Sequence, residues 1–189
     1  GRFWELRDAV FGLPLYRDRA PRLFVAAHFP RMLRLAGRFG DGWLPGQKVS
    51  AEEYRQRLEI IRRAAEDAGR RLERFTATHT MVVALGNSRE QVLERAMTSR
   101  ICAAMALGAP AGVWRAHGRA HPLGDTHRGF LDLVPSRITT AQVDCAAATM
   151  TPEIVLTLLY AGNARQICEE VAPLADAGCS HFIVANAGA

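Results

Sequence analysis

The sequence predicts an α/β fold of repeated βα units, on three observations. Short apolar runs carry branched and aromatic residues, polar caps announce helices, and glycines mark the joints between them. Strand, capped helix, strand, capped helix is the order that crossover connections impose, and such crossovers force parallel pairing.

The elements follow in order. Phe3, Trp4, Leu6, Ala9 and Val10 have the spacing of a helix with an apolar face. Residues 22–27, Arg22-Leu23-Phe24-Val25-Ala26-Ala27, form a run suited to a strand buried on both faces. Pro30 fits the first turn of a helix that continues through Met32, Leu33, Leu35 and Ala36, and Gly37, Gly40 and Gly42 break it. Trp43-Leu44 begins a second strand, within 42–45. Ser50 with Glu53 makes a capping box, after which Tyr54, Leu58, Ile61, Ala65 and Ala68 draw one apolar stripe. Gly69 supplies a left-handed stop. A third strand spans 76–85, and Ser88 with Gln91 caps a helix expected to run to about Ala106. Near the end, Asn163 caps a helix through Ile167, Val171 and Leu174, Gly178 stops it, and 181–186 is the last strand.

Residues 107–162 depart from this rhythm. They hold Gly108, Pro110, Gly112, Gly118, Pro122, Gly124, Gly129 and Pro135, then two expected helices near 139–148 and 152–160. So long a stretch reads as an insertion above the sheet, where such loops line substrate pockets, or else as a disordered segment.

Composition narrows the function. The chain has 189 residues and is 49% hydrophobic, enough for one domain with a real core, yet short of the roughly 250 of a complete βα barrel. The first and last residues look cut through a fold. No run approaches the roughly 20 apolar residues of a membrane span, and the expected location is cytoplasmic. Cys102, Cys145, Cys168 and Cys179 are scattered, which suits reduced thiols, with Cys102 and Cys168 read as small core residues. A net charge of +5 from dispersed arginines permits attraction to anions, and no motif supports nucleic-acid binding.

The sharpest motif is Val25-Ala26-Ala27-His28-Phe29-Pro30, a buried strand emptying into a short loop and a helix opened by Pro. The free N–H groups there point one way and the helix dipole adds about half a positive charge. Small alanines let a ligand approach the backbone. Plain βα turns share this geometry and far outnumber phosphate sites. His117, His121, Asp125 and His127 are spaced for a metal only on a helix, which Gly118 and Pro122 oppose, so no metal site is expected. His79 lies in a strand and suits the core or a barrel lumen. Trp43, ending a strand, suits either the core or the edge of a cofactor site.

The run Pro21 to Pro45, with Val25-Ala26-Ala27-His28 and Gly40-Asp41-Gly42-Trp43 at its centre, resembles the fifth and sixth strands of the luciferase-like superfamily. It is especially similar to the branch that uses the deazaflavin coenzyme F-420, and within it to a group of mycobacterial ketoreductases. Ala106-Leu107-Gly108-Ala109-Pro110, Trp114-Arg115-Ala116-His117-Gly118, His121-Pro122-Leu123-Gly124, Val134-Pro135, Ala161-Gly162-Asn163 and Asp176-Ala177-Gly178 extend the likeness over essentially the whole chain.

The resemblance implies the C-terminal half of a TIM (βα)8 barrel, strands five to eight, as one partial domain over 1–189 with 107–162 inserted before the last strand. It implies hydride transfer to a ketone, possibly lipid-like, with the cofactor phosphate held by the backbone of Ala27, His28 and Phe29. Phe29 stands where relatives have Gly, so a left-handed turn at that position would strain it. The family's ring-binding and proton-donor groups lie on the first four strands, so no catalytic residue is assigned. An FMN-dependent monooxygenase of the same superfamily, with FMN in place of coenzyme F-420, is the alternative. A non-catalytic remnant, or a half barrel that pairs with a second copy or a complementing N-terminal half, is the third reading.

Overall fold

β3 (Thr76–Leu85) is the strand from which a parallel sheet is built. A computed structural model describes residues 5, 7–10 and 12–187. β1 (Phe24–Val25) pairs with β2 (Gly42–Trp43), β2 with the start of β3, and β5 (His181–Asn186) with its middle, all parallel. The amides of Thr76 and Thr80 bond to Asp41 and Pro45, and that of Gly86 bonds to Gly162. The carbonyls of Ala77 and Val83 accept from Ser180 and Ala187 on the opposite side. β2 and a further short strand, β4 (Tyr160–Gly162), therefore share one flank of β3, and β5 takes the other. Four of these five strands, β1, β2, β3 and β5, lie side by side in chain order and, with helices α1 (Pro30–Phe39), α2 (Ala51–Asp67) and α8 (Ala164–Asp176) over one face, make half of a (βα)8 barrel.

β1 is shorter than 22–27. It is an edge strand, and the Asp41 carboxylate takes the Leu23 amide at 2.8 Å where a ladder bond would otherwise stand. Arg22 stitches the amino end of the sheet, donating to the carbonyls of Asp41 and Arg74 and to the Thr76 hydroxyl. The helix expected at the start is not formed at Ala9 and Val10, while Phe3, Trp4 and Leu6 lie outside the described residues.

The expected helix 88–106 is two, α3 (Arg89–Thr98) and α4 (Arg100–Ala106). Ser99 stands extended between them and its hydroxyl caps the second, accepting from Cys102. Neither serine box closes fully: Ser50 and Ser88 accept from the third helical amide, but Glu53 turns instead to Arg57. Complete boxes form at Thr139–Gln142, before α6 (Thr140–Thr149), and at Asn163–Gln166. After α5 (Ala111–Ala116), residues 117–139 form turns and two short 3-10 turns. The helix expected over 152–160 ends at Leu156 as α7 (Pro152–Leu156), and Tyr160 starts β4. Gly69 is left-handed, as its place after α2 requires. Cys102 is buried but Cys168 is exposed, against the expectation for it, and all four thiols are free. No helix among the described residues is long and apolar enough to cross a membrane.

Gly37 does not break its helix. It lies inside α1 at the crossing with α2, where an added Cβ would fall 2.2 Å from the Ile61 carbonyl oxygen. Backbone-to-backbone approach, not chain breaking, is why glycine stands there. Gly37→Ala should cost about 1–3 kcal/mol by overpacking. Gly112→Ala, at an exposed position of α5 with nothing within 4 Å, should stabilise by up to about 1 kcal/mol. Urea unfolding midpoints moving in opposite directions would bear this out.

Candidate functional site

β1 ends at Val25, and Ala26 to Phe29 carry the chain over the carboxyl rim of the sheet into α1. The first bond inside the helix runs from the Leu33 amide to the Phe29 carbonyl at 3.0 Å. The amides of Arg31 and Met32 precede it and have no carbonyl in the helix to meet. No side chain caps this end, and Pro30 occupies the first turn. The result is a bare helix N-terminus facing the rim, of the kind that attracts anions.

Phe29 is extended, with φ −109 and ψ 155. The strain expected from a bulky residue in place of Gly is absent, because this turn needs no left-handed residue. Its ring is largely exposed.

The loop is held from beneath. Trp43 is completely buried, tilted against Tyr54 with ring centroids 4.7 Å apart, and its indole N–H donates to the Ala27 carbonyl at 2.8 Å. Trp43 therefore does not line the loop's open side; it fixes Ala27. The Thr78 hydroxyl donates to the Trp43 carbonyl at 2.7 Å, and the Tyr54 hydroxyl to the Thr78 carbonyl at 2.9 Å. Burial pushes the Tyr54 phenol far above its ordinary range, so it remains a donor. Thr78 and Tyr54 carried no signal for this role, since a Thr in a strand and an aromatic on a helical stripe are ordinary core patterns.

His28 is half-buried. Its Nε2 accepts a long bond from the Gly46 amide at 3.5 Å, which leaves the ring proton on Nδ1, a buried atom without a partner. Burial, and then the Arg57 guanidinium, lower its pKa and keep the ring neutral. Arg57 gives one nitrogen to Glu53, and its Nη1 is also buried and unpaired. The His28 Nδ1, two residues before Pro30, is an orphaned donor that an acceptor such as a phosphate would satisfy.

Gly46 lies in the loop after β2, and Lys48 in that loop is a tether no motif foretold. Its ammonium bonds the carbonyls of Leu156 and Leu159 and the Glu170 carboxylate at 2.6 Å, while the other Glu170 oxygen holds Arg89. This network brings residues 156–161 to the same rim as His28. Between the β2–α2 loop and this segment lies a cavity of about 270 Å³, walled by Gly46 and Lys48, by Val82 of β3, and by Val113, Phe130 and Leu158.

His79 faces the helix layer and bonds the Tyr160 hydroxyl at 2.9 Å; burial and Lys48 depress its pKa to about 4. His121 spends both nitrogens on backbone, Nδ1 accepting from Leu123 and Nε2 donating to Ala109, and stacks on His127 at 4.6 Å. Burial and His127 lower its pKa. His127 accepts from the Gly129 amide. Among the described residues, no group of three or more His, Cys, Asp or Glu is placed to hold a metal.

The luciferase-like monooxygenase family model matches residues 1–181. Phthiodiolone/phenolphthiodiolone dimycocerosates ketoreductases from Mycobacterium tuberculosis and Mycobacterium kansasii are each 34% identical over 184 residues, 97% of this chain. The chain spans 48% and 50% of those relatives. Among solved structures, a coenzyme F-420-dependent tetrahydromethanopterin reductase from Methanopyrus kandleri superposes with TM-score 0.62 at 19% identity, over 88% of this chain and 46% of that one. An F-420-dependent secondary alcohol dehydrogenase in complex with an F-420–acetone adduct gives 0.60 at 13% identity, over 90% and 44%.

Trp43→Phe keeps the ring packing but leaves the Ala27 carbonyl without its donor. It should cost about 1–3 kcal/mol, and amide hydrogen exchange at Ala27 to Phe29 should quicken. Unchanged exchange there would show that the loop is held by something else.

Proposed function

We propose, from the premise that the chain belongs to the luciferase-like monooxygenase family, that it is the cofactor-phosphate half of a coenzyme F-420-dependent ketone reductase. One observation carries the reading: a bare helix N-terminus, pinned by Trp43 through Ala27 and flanked by the unpaired Nδ1 of His28, stands on the carboxyl rim. Enzymes built on βα barrels place their sites on that rim. Ala27, His28 and Phe29 would hold the phosphate through their backbone, with the His28 ring as an added neutral donor.

When bound, the reduced coenzyme supplies a hydride, which with one proton converts a ketone to a secondary alcohol. The residues of this chain bind and orient; the proton donor is not assigned to any of them. Residues 107–162, apart from β4 at their end, would act as an insertion that roofs the rim, and the ketoreductase relatives suggest a lipid-like ketone.

What the fold leaves uncovered supports completion by an N-terminal half. Leu23, Phe24 and Phe29, with Met32, Leu35 and Phe39 of α1, expose apolar surface at one edge of the sheet, and Ile183 and Val184 do so at the other. Unpaired strand edges of this kind invite pairing.

The test is fluorescence titration of coenzyme F-420 and of FMN against this chain, alone and joined to the N-terminal half of a ketoreductase relative. Weak binding by the chain alone and tight, F-420-selective binding by the hybrid are expected. Phe29→Gly should not tighten it, since Phe29 is unstrained. Tighter FMN binding would support the monooxygenase alternative, and no binding by the hybrid would mark a non-catalytic remnant.

A further inference from the structure

Residues 117–139 contain little regular structure, yet their middle is fastened to the end of α4. The Ala111 amide donates to the His127 carbonyl at 2.8 Å, the Phe130 amide donates to the Gly108 carbonyl at 3.0 Å, and Pro110 and Arg128 form an isolated antiparallel bridge. Phe130 thereby becomes a wall of the rim cavity, beside Gly108 and Pro110. Two imidazoles hold the turns that put it there.

His121 is only 4% exposed. Its Nδ1 accepts from the Leu123 amide and its Nε2 donates to the Ala109 carbonyl, both at 3.0 Å. His127 repeats the first of these bonds, its Nδ1 accepting from the Gly129 amide at 3.1 Å. The two rings stack with centroids 4.6 Å apart and planes 17° apart, and Trp114 of α5 meets the His121 ring edge-on at 5.3 Å. Each Nδ1 serves a backbone amide two residues on, so each neutral ring carries its proton on Nε2. A proton added at Nδ1 would set a donor against a donor, and two charged rings would repel across the stack. The carbonyls of Ala109 and Leu107 favour a charged His121, but burial, and then His127, outweigh them and lower its pKa from the ordinary 6.5. On the other side, Asp132 is within electrostatic reach of His127 while its carboxylate is forked onto Arg128, and Arg137 lines the hollow that His127 shares.

We propose that the His121–His127 stack is an acid-sensitive clasp, which holds residues 121–130 against the end of α4 while neutral and releases the Phe130 wall of the rim cavity when an Nδ1 is protonated. The closed form disfavours the proton on His121 and the open form does not. The clasp is therefore fully present above about pH 6.5 and is lost as pH falls through the lowered value of the closed form. It depends on the bonds within the roof and not on the cofactor or the ketone proposed above.

Hydrogen-exchange protection of the chain, corrected for the intrinsic pH dependence of exchange, tests the clasp between pH 7.5 and pH 5. Protection at Ala111, Leu123, Gly129 and Phe130 should fall together by up to about tenfold for each pH unit below about 6.5, while the amides of β3 hold. His121→Asn keeps an oxygen that can accept from the Leu123 amide but cannot titrate, and it should make protection at these four amides independent of pH. Nitrogen shifts of the His121 ring give a second reading on the unsubstituted chain. They should show the proton on Nε2 at pH 7.5, and protonation of Nδ1 should follow the same curve as the loss of protection. Protection that does not change with pH, a loss that persists in His121→Asn, or ring protonation on a different curve from the loss would each overturn the proposal. Should His121→Asn already leave the four amides unprotected at pH 7.5, the agreement or disagreement of the two curves decides it.

Discussion

Tyr54, Thr78, Trp43 and Ala27 form a buried hydrogen-bonded line that crosses from α2 through β3 and β2 to the end of β1. Each link is a donor that would be costly to bury unpaired, and each finds its acceptor only when the strands stand in the observed register. Val25 faces Trp43, and Trp43 faces Ala77. A slip of one residue would turn the indole to the other face of the sheet and strand its N–H and the Ala27 carbonyl together. The line therefore fixes β1, the most weakly paired strand, and delivers the His28 loop to the rim.

Much of the fold was legible because its signals are local. Strand runs, the Ser50 and Asn163 caps and the Gly69 stop each depend on a few neighbouring residues, and all formed where the pattern placed them. What the pattern missed depends on distant partners. β4 is only Tyr160 to Gly162, too short to show a period, and exists because the far end of β3 has a free flank. Ser99 splits a helix that propensity alone would continue, because it can cap the second half. Gly37 looked like a helix breaker and is instead the point of closest approach between two helices.

The site was legible in outline. The loop at Ala27 to Phe29 lies where the motif placed it, but its supports, Thr78, Tyr54 and Lys48, sit in stretches that look like ordinary core or loop. Trp43 illustrates the difference. Strand-end position left Trp43 to either the core or the edge of a cofactor site; register turns the ring inward beneath the loop, where its N–H does the fixing. Phe29 shows the converse: a residue change that looked costly is accommodated by extended backbone.

The central claim is that the backbone from Ala27 into α1 is built to receive a phosphate. The most direct measurement is amide NMR of the isotope-labelled chain during titration with inorganic phosphate, and with sulfate and chloride as controls. The amides of His28, Phe29, Arg31 and Met32 should shift together along one saturable curve, more strongly with phosphate than with chloride. Shifts confined to exposed arginine-rich surfaces elsewhere, with those four amides unmoved, would contradict it.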